Sequence, residues 1–263
     1  MFSSTPLIFG NYATAAPFGA VFLPNYYVAN VTLPGGVNVT LDTPNELNLS
    51  ENVTNYIMSV LNSKFYTQDF RNTVCTDSTF KNVIAIQQAM AFAVIYSKGH
   101  RDAMSAGGYT NYGLVMNNGV TVWDTEIYAR TSSKNIHSFI WYCETGIIPS
   151  PNNGTNGLPI AFTHNPRIPL RGTSGNQVYL GWTNAVPKGH PLPGGSPQYE
   201  MPINTDYNYA QVACLYYYYL DQGCSTAVAL NQVAATIYGS TYIYPTSPLF
   251  GWLLYYGNGN NFL

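Results

Sequence analysis

The chain has 263 residues, within reach of one large α/β domain, and 46% of them are hydrophobic, enough to bury a core and to exclude disorder over most of the length. Only 8% are charged, against roughly 25% in ordinary domains, and 23 tyrosines with abundant Asn, Thr, Ser and Gly fill the deficit. Ten basic and twelve acidic residues scattered without runs cannot build the positive stripe that nucleic acid requires, and no apolar stretch reaches the roughly 18–20 residues of a bilayer span.

Pro17 to Leu23 is a short apolar run that reads as a buried strand. Residues 24–50 read as a loop excursion, with a hairpin from Thr32 to Leu41 across Gly35-Gly36. Four of five Asn-x-Ser/Thr sequons cluster in and just after it, at Asn30, Asn38, Asn48 and Asn52; the fifth is at Asn153. The cluster predicts a glycosylated protein of the cell exterior. Met1-Phe2-Ser3-Ser4-Thr5-Pro6 lacks the basic and long apolar regions of a signal peptide. The chain is therefore expected to derive from a longer precursor, or Met1 to have been added.

Ser50 is the N-cap candidate for a helix that carries Tyr56, Ile57, Val60 and Leu61 to about Ser63. Phe70 to Thr76 alternates like a strand, Thr79 can cap a helix carrying Val83, Ile84, Ile86 and Met90, and Ala91 to Tyr96 is a further strand. A hairpin joins Tyr112–Met116 to Val120–Val122 through Asn117-Asn118-Gly119, followed by a short helix from Asp124 to Ala129 and a strand from Ile136 to Tyr142. Ile160–Thr163 and Val178–Trp182 read as buried strands, residues 183–204 as a long loop with five Pro and three Gly, and Asp206–Leu220 and Ser225–Ile237 as helices. This alternation predicts one α/β domain over residues 1–263, a mostly parallel sheet with helices on both faces.

Open sheets of this kind collect ligands outside the carboxyl ends of their strands. Ala91–Tyr96 runs into Ser97-Lys98-Gly99-His100-Arg101, and Ile136–Tyr142 runs into Cys143-Glu144-Thr145-Gly146. As parallel neighbours these strands bring His100 and Cys143 to one edge. An imidazole there can take the proton of a thiol whose ordinary pKa is about 8.5, giving the thiolate that attacks a carbonyl.

At these residues the chain resembles the caspase-like cysteine peptidases, the group of caspases, legumain, gingipains and metacaspase-like proteins. Tyr96-Ser97-Lys98-Gly99-His100 is similar to the family's histidine turn, and Trp141-Tyr142-Cys143-Glu144-Thr145-Gly146 to its cysteine turn, close to the Cys-Glu-Ser-Gly of legumain. Gly113-Leu114-Val115, Asn118-Gly119-Val120 and Asp124-Thr125-Glu126-Ile127 resemble the hairpin and short helix between them, and the strand at Leu158–Thr163 and the final helix pair follow the family's order. The resemblance spans roughly residues 17–256. It implies a caspase-like three-layer sandwich, a Cys143/His100 dyad, a peptide or protein substrate, no cofactor and no metal. Gly99, Arg101, Glu144 and Gly146 become the implied oxyanion or cleft residues. Arg101 stands where the family usually has Gly after the histidine, and Trp141-Tyr142 are bulky enough to occlude a cleft.

His137 shares a strand face with Phe139 and Trp141 and reads as structural, His164 can line the same sheet edge as the dyad, and His190 reads as solvent-facing. These histidines have no cysteine or carboxylate at metal-ligand spacing. Glu144 and Asp102 either recognise a basic substrate residue or are solvated, capping carboxylates. Cys75, Cys143, Cys214 and Cys224 allow three pairings; Cys214 and Cys224 either bridge or stay buried thiols. The run Tyr216–Tyr219 spans a helical turn and cannot all face the core, so part of it packs on another segment or subunit. That feeds a second reading, a non-catalytic surface or filament module that self-associates through a tyrosine-rich face.

Overall fold

The computed structural model describes residues 17–24, 30–33, 37–40, 43–106, 109–148, 157–183, 198–239 and 253–263. In chain order the elements are β1 (Phe18–Leu23), β2 (Asn30–Leu33), β3 (Val37–Thr40), α1 (Pro44–Asn62), β4 (Tyr66–Arg71), α2 (Asp77–Ile86), β5 (Ala93–Lys98) and β6 (Arg101–Ala106). There follow β7 (Tyr109–Val115), β8 (Thr121–Trp123), α3 (Asp124–Tyr128), β9 (Asn135–Trp141), α4 (Gly157–Thr163), β10 (Val178–Trp182), α5 (Tyr209–Asp221), α6 (Thr226–Tyr238) and β11 (Leu253–Gly257).

Six strands form the central sheet in the order β11-β10-β9-β5-β1-β4. Neighbours run parallel except β11, which is antiparallel to β10. Successive side chains of a strand point to opposite faces, and here both faces are apolar. Val21, Val94, Tyr96, Phe139, Trp141 and Leu180 pack against α1, α5 and α6. Ala20, Phe22, Ile95, Ile140, Tyr142 and Tyr179 pack against residues of α2, α3 and α4 and of the small β6-β7-β8 sheet. The result is a mixed α/β three-layer arrangement whose sheet draws strands from both ends of the described chain. None of the described helices is long and apolar enough to cross a membrane.

Several elements lie elsewhere than the sequence suggests. Helix α1 begins at Pro44, with Thr43 as N-cap accepting the Glu46 N–H at 3.0 Å, so Ser50 is interior and buried. The excursion therefore ends before residue 50, and Asn48 and Asn52 are exposed on a helix while Asn30 and Asn38 lie in the β2–β3 hairpin. Asn153, His190 and residues 184–197 of the long loop fall outside the described residues. The strand expected at Phe70–Thr76 is β4, placed earlier, and Thr76 rather than Thr79 caps α2.

Residues Gly157–Thr163 are a helix, not a strand. Every residue of that segment is buried, which erases the periodicity that separates a short helix from a buried strand. Asp124 accepts the Gly157 N–H at 3.0 Å and so anchors its first turn. Tyr216 and Tyr217 are fully buried and the Tyr219 hydroxyl shares a hydrogen bond with Thr236, leaving Tyr218, 45% exposed, as the outward member of the run. Cys214 and Cys224 are both free thiols.

Candidate active site

The parallel pairing of β5 with β9 sets the sheet edge at which the two candidate residues lie. Ser97 pairs with Ile140 and Lys98 with Trp141, after which the Gly99 N–H donates to the Trp141 carbonyl at 3.3 Å. β5 ends at Lys98 and β9 at Trp141, so His100 and Cys143 each follow two residues beyond the last paired position, in the turns that leave the two strands. One residue beyond, the Arg101 guanidinium pairs with the Glu144 carboxylate, again 43 residues away in sequence. His100 and Cys143 are thus bracketed by a backbone bond before them and an ion pair after them, at the carboxyl edge of the sheet. Both are half-buried, so solvent reaches them.

Each turn is fixed from a second side. Val115 donates its N–H to the His100 carbonyl at 3.0 Å, tying the histidine to β7. Because bonded and unbonded pairs alternate in an antiparallel ladder, that bond directs the Arg101 amide away from β7. The cysteine turn is sewn to β10 and β11. Thr145 Oγ1 donates to the carbonyls of Ile140 and Tyr142 at 2.8 and 3.1 Å, and its own carbonyl accepts the Tyr179 hydroxyl at 2.9 Å. The Gly146 N–H donates to the Trp182 carbonyl at 2.8 Å, and the Gly146 carbonyl accepts the Tyr256 hydroxyl at 2.6 Å. Such fastening supplies pre-organisation, the condition for a nucleophile held in reacting geometry.

These contacts reassign the implied oxyanion and cleft residues. Gly99 and Gly146 have their amides committed, and both are glycine for close packing. A β-carbon on Gly99 would meet the Tyr142 ring at 2.9 Å, and one on Gly146 the Gly181 carbonyl oxygen at 2.7 Å. Neither Trp141 nor Tyr142 closes the edge: Trp141 packs on Trp182 and Tyr199 on one face, and Tyr142 lies in the opposite core with its hydroxyl 2.9 Å from that of Ser97. Glu144 is paired with Arg101, and the Asp102 carboxylate accepts from the Ala103 N–H and the Thr121 hydroxyl.

The other histidines stand apart. His137 is buried in β9 with Nε2 2.9 Å from the Tyr216 hydroxyl, and burial pushes its pKa down to about 3, keeping it neutral. His164 stacks on Tyr128 with ring centres 4.0 Å apart and bonds that residue's carbonyl. The neighbouring Phe162 carbonyl accepts from Asn135, the first residue of β9, so His164 sits at the amino ends of the strands and does not line the edge with Cys143.

One feature with only a faint trace in the sequence adjoins the site. Lys98, the last residue of β5, holds the fully buried Glu46 of α1 at 2.7 Å and lies 4.8 Å from the centre of the Tyr199 ring. Glu46 also accepts the Glu200 N–H at 2.9 Å, which ties the segment after the long loop to α1. The order Thr43-Pro44-Asn45-Glu46, an N-cap, a first-turn proline and an acid at N3, was the available signal. Among the described residues no group of three or more His, Cys, Asp or Glu is placed to hold a metal.

No protein-family model and no curated protein matches the chain. Among solved structures it is similar to the Drosophila initiator caspase Dronc, at 10% identity over 99% of this chain and 88% of that one, with a TM-score of 0.36. It is also similar to a protein from Geobacter sulfurreducens, at 12% identity over 51% of this chain and 52% of that one, with a TM-score of 0.35. The chain spans about half the length of the Geobacter protein. Likenesses this slight carry no argument about chemistry.

Proposed function

We propose that this protein is a cysteine peptidase working through Cys143 and His100. The observation that supports the reading is the parallel pairing of β5 with β9, whose carboxyl ends lead into the turns bearing His100 and Cys143, with the Gly99–Trp141 bond before those residues and the Arg101–Glu144 ion pair after them. In the proposed reaction His100 takes the thiol proton, and the Cys143 sulfur attacks the scissile carbonyl carbon. The tetrahedral adduct collapses to a thioester as the C–N bond breaks and His100 returns the proton to the departing amine. Water, giving a proton to His100, then attacks the thioester, and the acid leaves with the thiol restored. The Arg101 amide, directed away from β7, is a candidate donor to the developing oxyanion; one such donor is worth about 2.7–4 kcal/mol in other hydrolases.

Turnover of a peptide library by the wild-type protein, and its loss in Cys143→Ala and in His100→Ala, is the expected result. Cleavage that persists in Cys143→Ala overturns the assignment. An extracellular location belongs to the same proposal and draws on the sequons, two of which, Asn48 and Asn52, are exposed on α1. A glycosidase-sensitive mass shift in protein purified from its source tests it. The self-associating surface module draws less support, because the tyrosine run of α5 leaves Tyr218 alone of its four rings strongly exposed.

A further inference from the structure

Beyond the Gly99–Trp141 bond the two site-bearing chains part company. One enters β6 and the small antiparallel sheet; the other turns through residues 142–146 toward β10. The Arg101–Glu144 ion pair spans that divergence, joining the residue after His100 to the residue after Cys143. Its side chains are only 15% and 22% exposed, and the Arg101 guanidinium carbon lies 5.0 Å from the centre of the Tyr112 ring. The guanidinium thus has one face covered by β7 and an edge committed to the carboxylate.

Glu144 also holds φ at +51°, the left-handed region that Gly or Asn adopts with least strain. A strained carboxylate-bearing residue at this point makes sense if the carboxylate is what the turn requires. Resting on the peptidase reading, we propose that Arg101 and Glu144 are a positioning pair that sets the span between His100 and Cys143. The paired side chains touch neither substrate nor reacting atoms; the Arg101 backbone amide, which the substitutions below keep, is separate from this role. It holds the sulfur within proton-transfer reach of the imidazole, and its opening lets the two turns drift apart. With each charge spent on the other, neither residue is a recognition group for a charged substrate side chain.

The test uses Arg101→Gln, Glu144→Gln and the charge-keeping Arg101→Lys, compared with wild type and His100→Ala. Three readouts are taken: the pH profile of Cys143 alkylation by iodoacetamide, kcat against KM on a cleaved peptide, and the melting temperature. Arg101→Gln, which leaves a carboxylate beside the thiol, is expected to shift the alkylation midpoint upward by about one pH unit, toward that of His100→Ala, and Glu144→Gln, which leaves a cation there, to shift it upward by less. Their kcat should fall roughly 10- to 100-fold with KM little changed, as a displacement of about 1 Å in the reacting groups produces. Arg101→Lys should fall between. A merely structural pair would lower melting and leave the midpoint in place.

Gln variants that keep the wild-type midpoint and kcat overturn the positioning role while the dyad stands, provided wild type and His100→Ala differ. If those two proteins alkylate alike, the dyad itself fails. Should Arg101→Gln not fold, Glu144→Gln, which leaves the guanidinium on Tyr112, carries the same reading.

Discussion

The Tyr142 ring occupies the space a β-carbon on Gly99 would need, with ring atoms and hydroxyl at 2.9 Å from it. The residue before the histidine and the residue before the cysteine therefore pack directly on each other, and the tyrosine is held by its hydroxyl against Ser97. Gly99→Ala should push this buried ring aside, at a cost of about 1–3 kcal/mol typical of overpacking. A calorimetric melt combined with the Cys143 alkylation rate checks it; wild-type values for both contradict the packing described.

The cysteine turn rests on β10 with no room to spare. Gly146→Ala sets a methyl 2.7 Å from the Gly181 carbonyl oxygen, and backbone cannot swing away as a side chain can. This variant should be destabilised at least as much as Gly99→Ala. Tyr256→Phe removes the hydrogen bond to the Gly146 carbonyl and should cost about 1 kcal/mol. Urea titration ranks the two; an order reversed would show that the turn is less fixed than its contacts imply.

The four thiols should separate cleanly by reactivity. Burial pushes Cys75 up to about 12 and Cys214 up to about 11, so at pH 8 both are almost entirely protonated. Cys75 is buried, whereas Cys143, Cys214 and Cys224 are each partly exposed. Timed iodoacetamide labelling with peptide mapping should find Cys143 modified first and Cys75 modified only once the protein is unfolded. Early labelling of Cys75 contradicts the burial.

Stability should fall with acid in a range set by His137. Its folded pKa is depressed to about 3 by burial, whereas an unfolded histidine titrates near 6.5. Between these values the unfolded chain binds a proton that the folded chain refuses, so the stabilisation is complete above about pH 6.5 and is lost as pH falls toward about 3. The full effect is on the order of 4 kcal/mol. Asp77, held down to about 2 by its hydrogen bonds to Lys81 and Asn118, adds a loss only below about pH 4. Unfolding free energies measured from pH 7 to pH 4 should slope by close to one proton in wild type and be flatter in His137→Phe. Equal slopes would contradict the neutral, buried histidine.

The strands that carry the site were legible because their apolar runs end abruptly in polar, glycine-containing turns: Lys98-Gly99-His100 after β5 and Cys143-Glu144-Thr145-Gly146 after β9. What the sequence did not carry was the partner of each flanking charge. Arg101 and Glu144 meet only because the β5–β9 register matches their spacing, which no local pattern encodes. Helix α4 was hidden by its complete burial, and β11 by having no partner in sequence other than β10, some 70 residues earlier. His164 was drawn toward the site by its place after a supposed strand; once that segment is a helix, the chain delivers it to the opposite rim.

The most direct test of the peptidase assignment is to quench the wild-type protein in acid during turnover of a cleaved peptide and weigh it intact. A fraction of the protein should gain the mass of the acyl half of the substrate, localised to Cys143 by fragmentation and lost on treatment with hydroxylamine. Steady cleavage with no acyl mass on Cys143, or with that mass on another residue, would contradict the account.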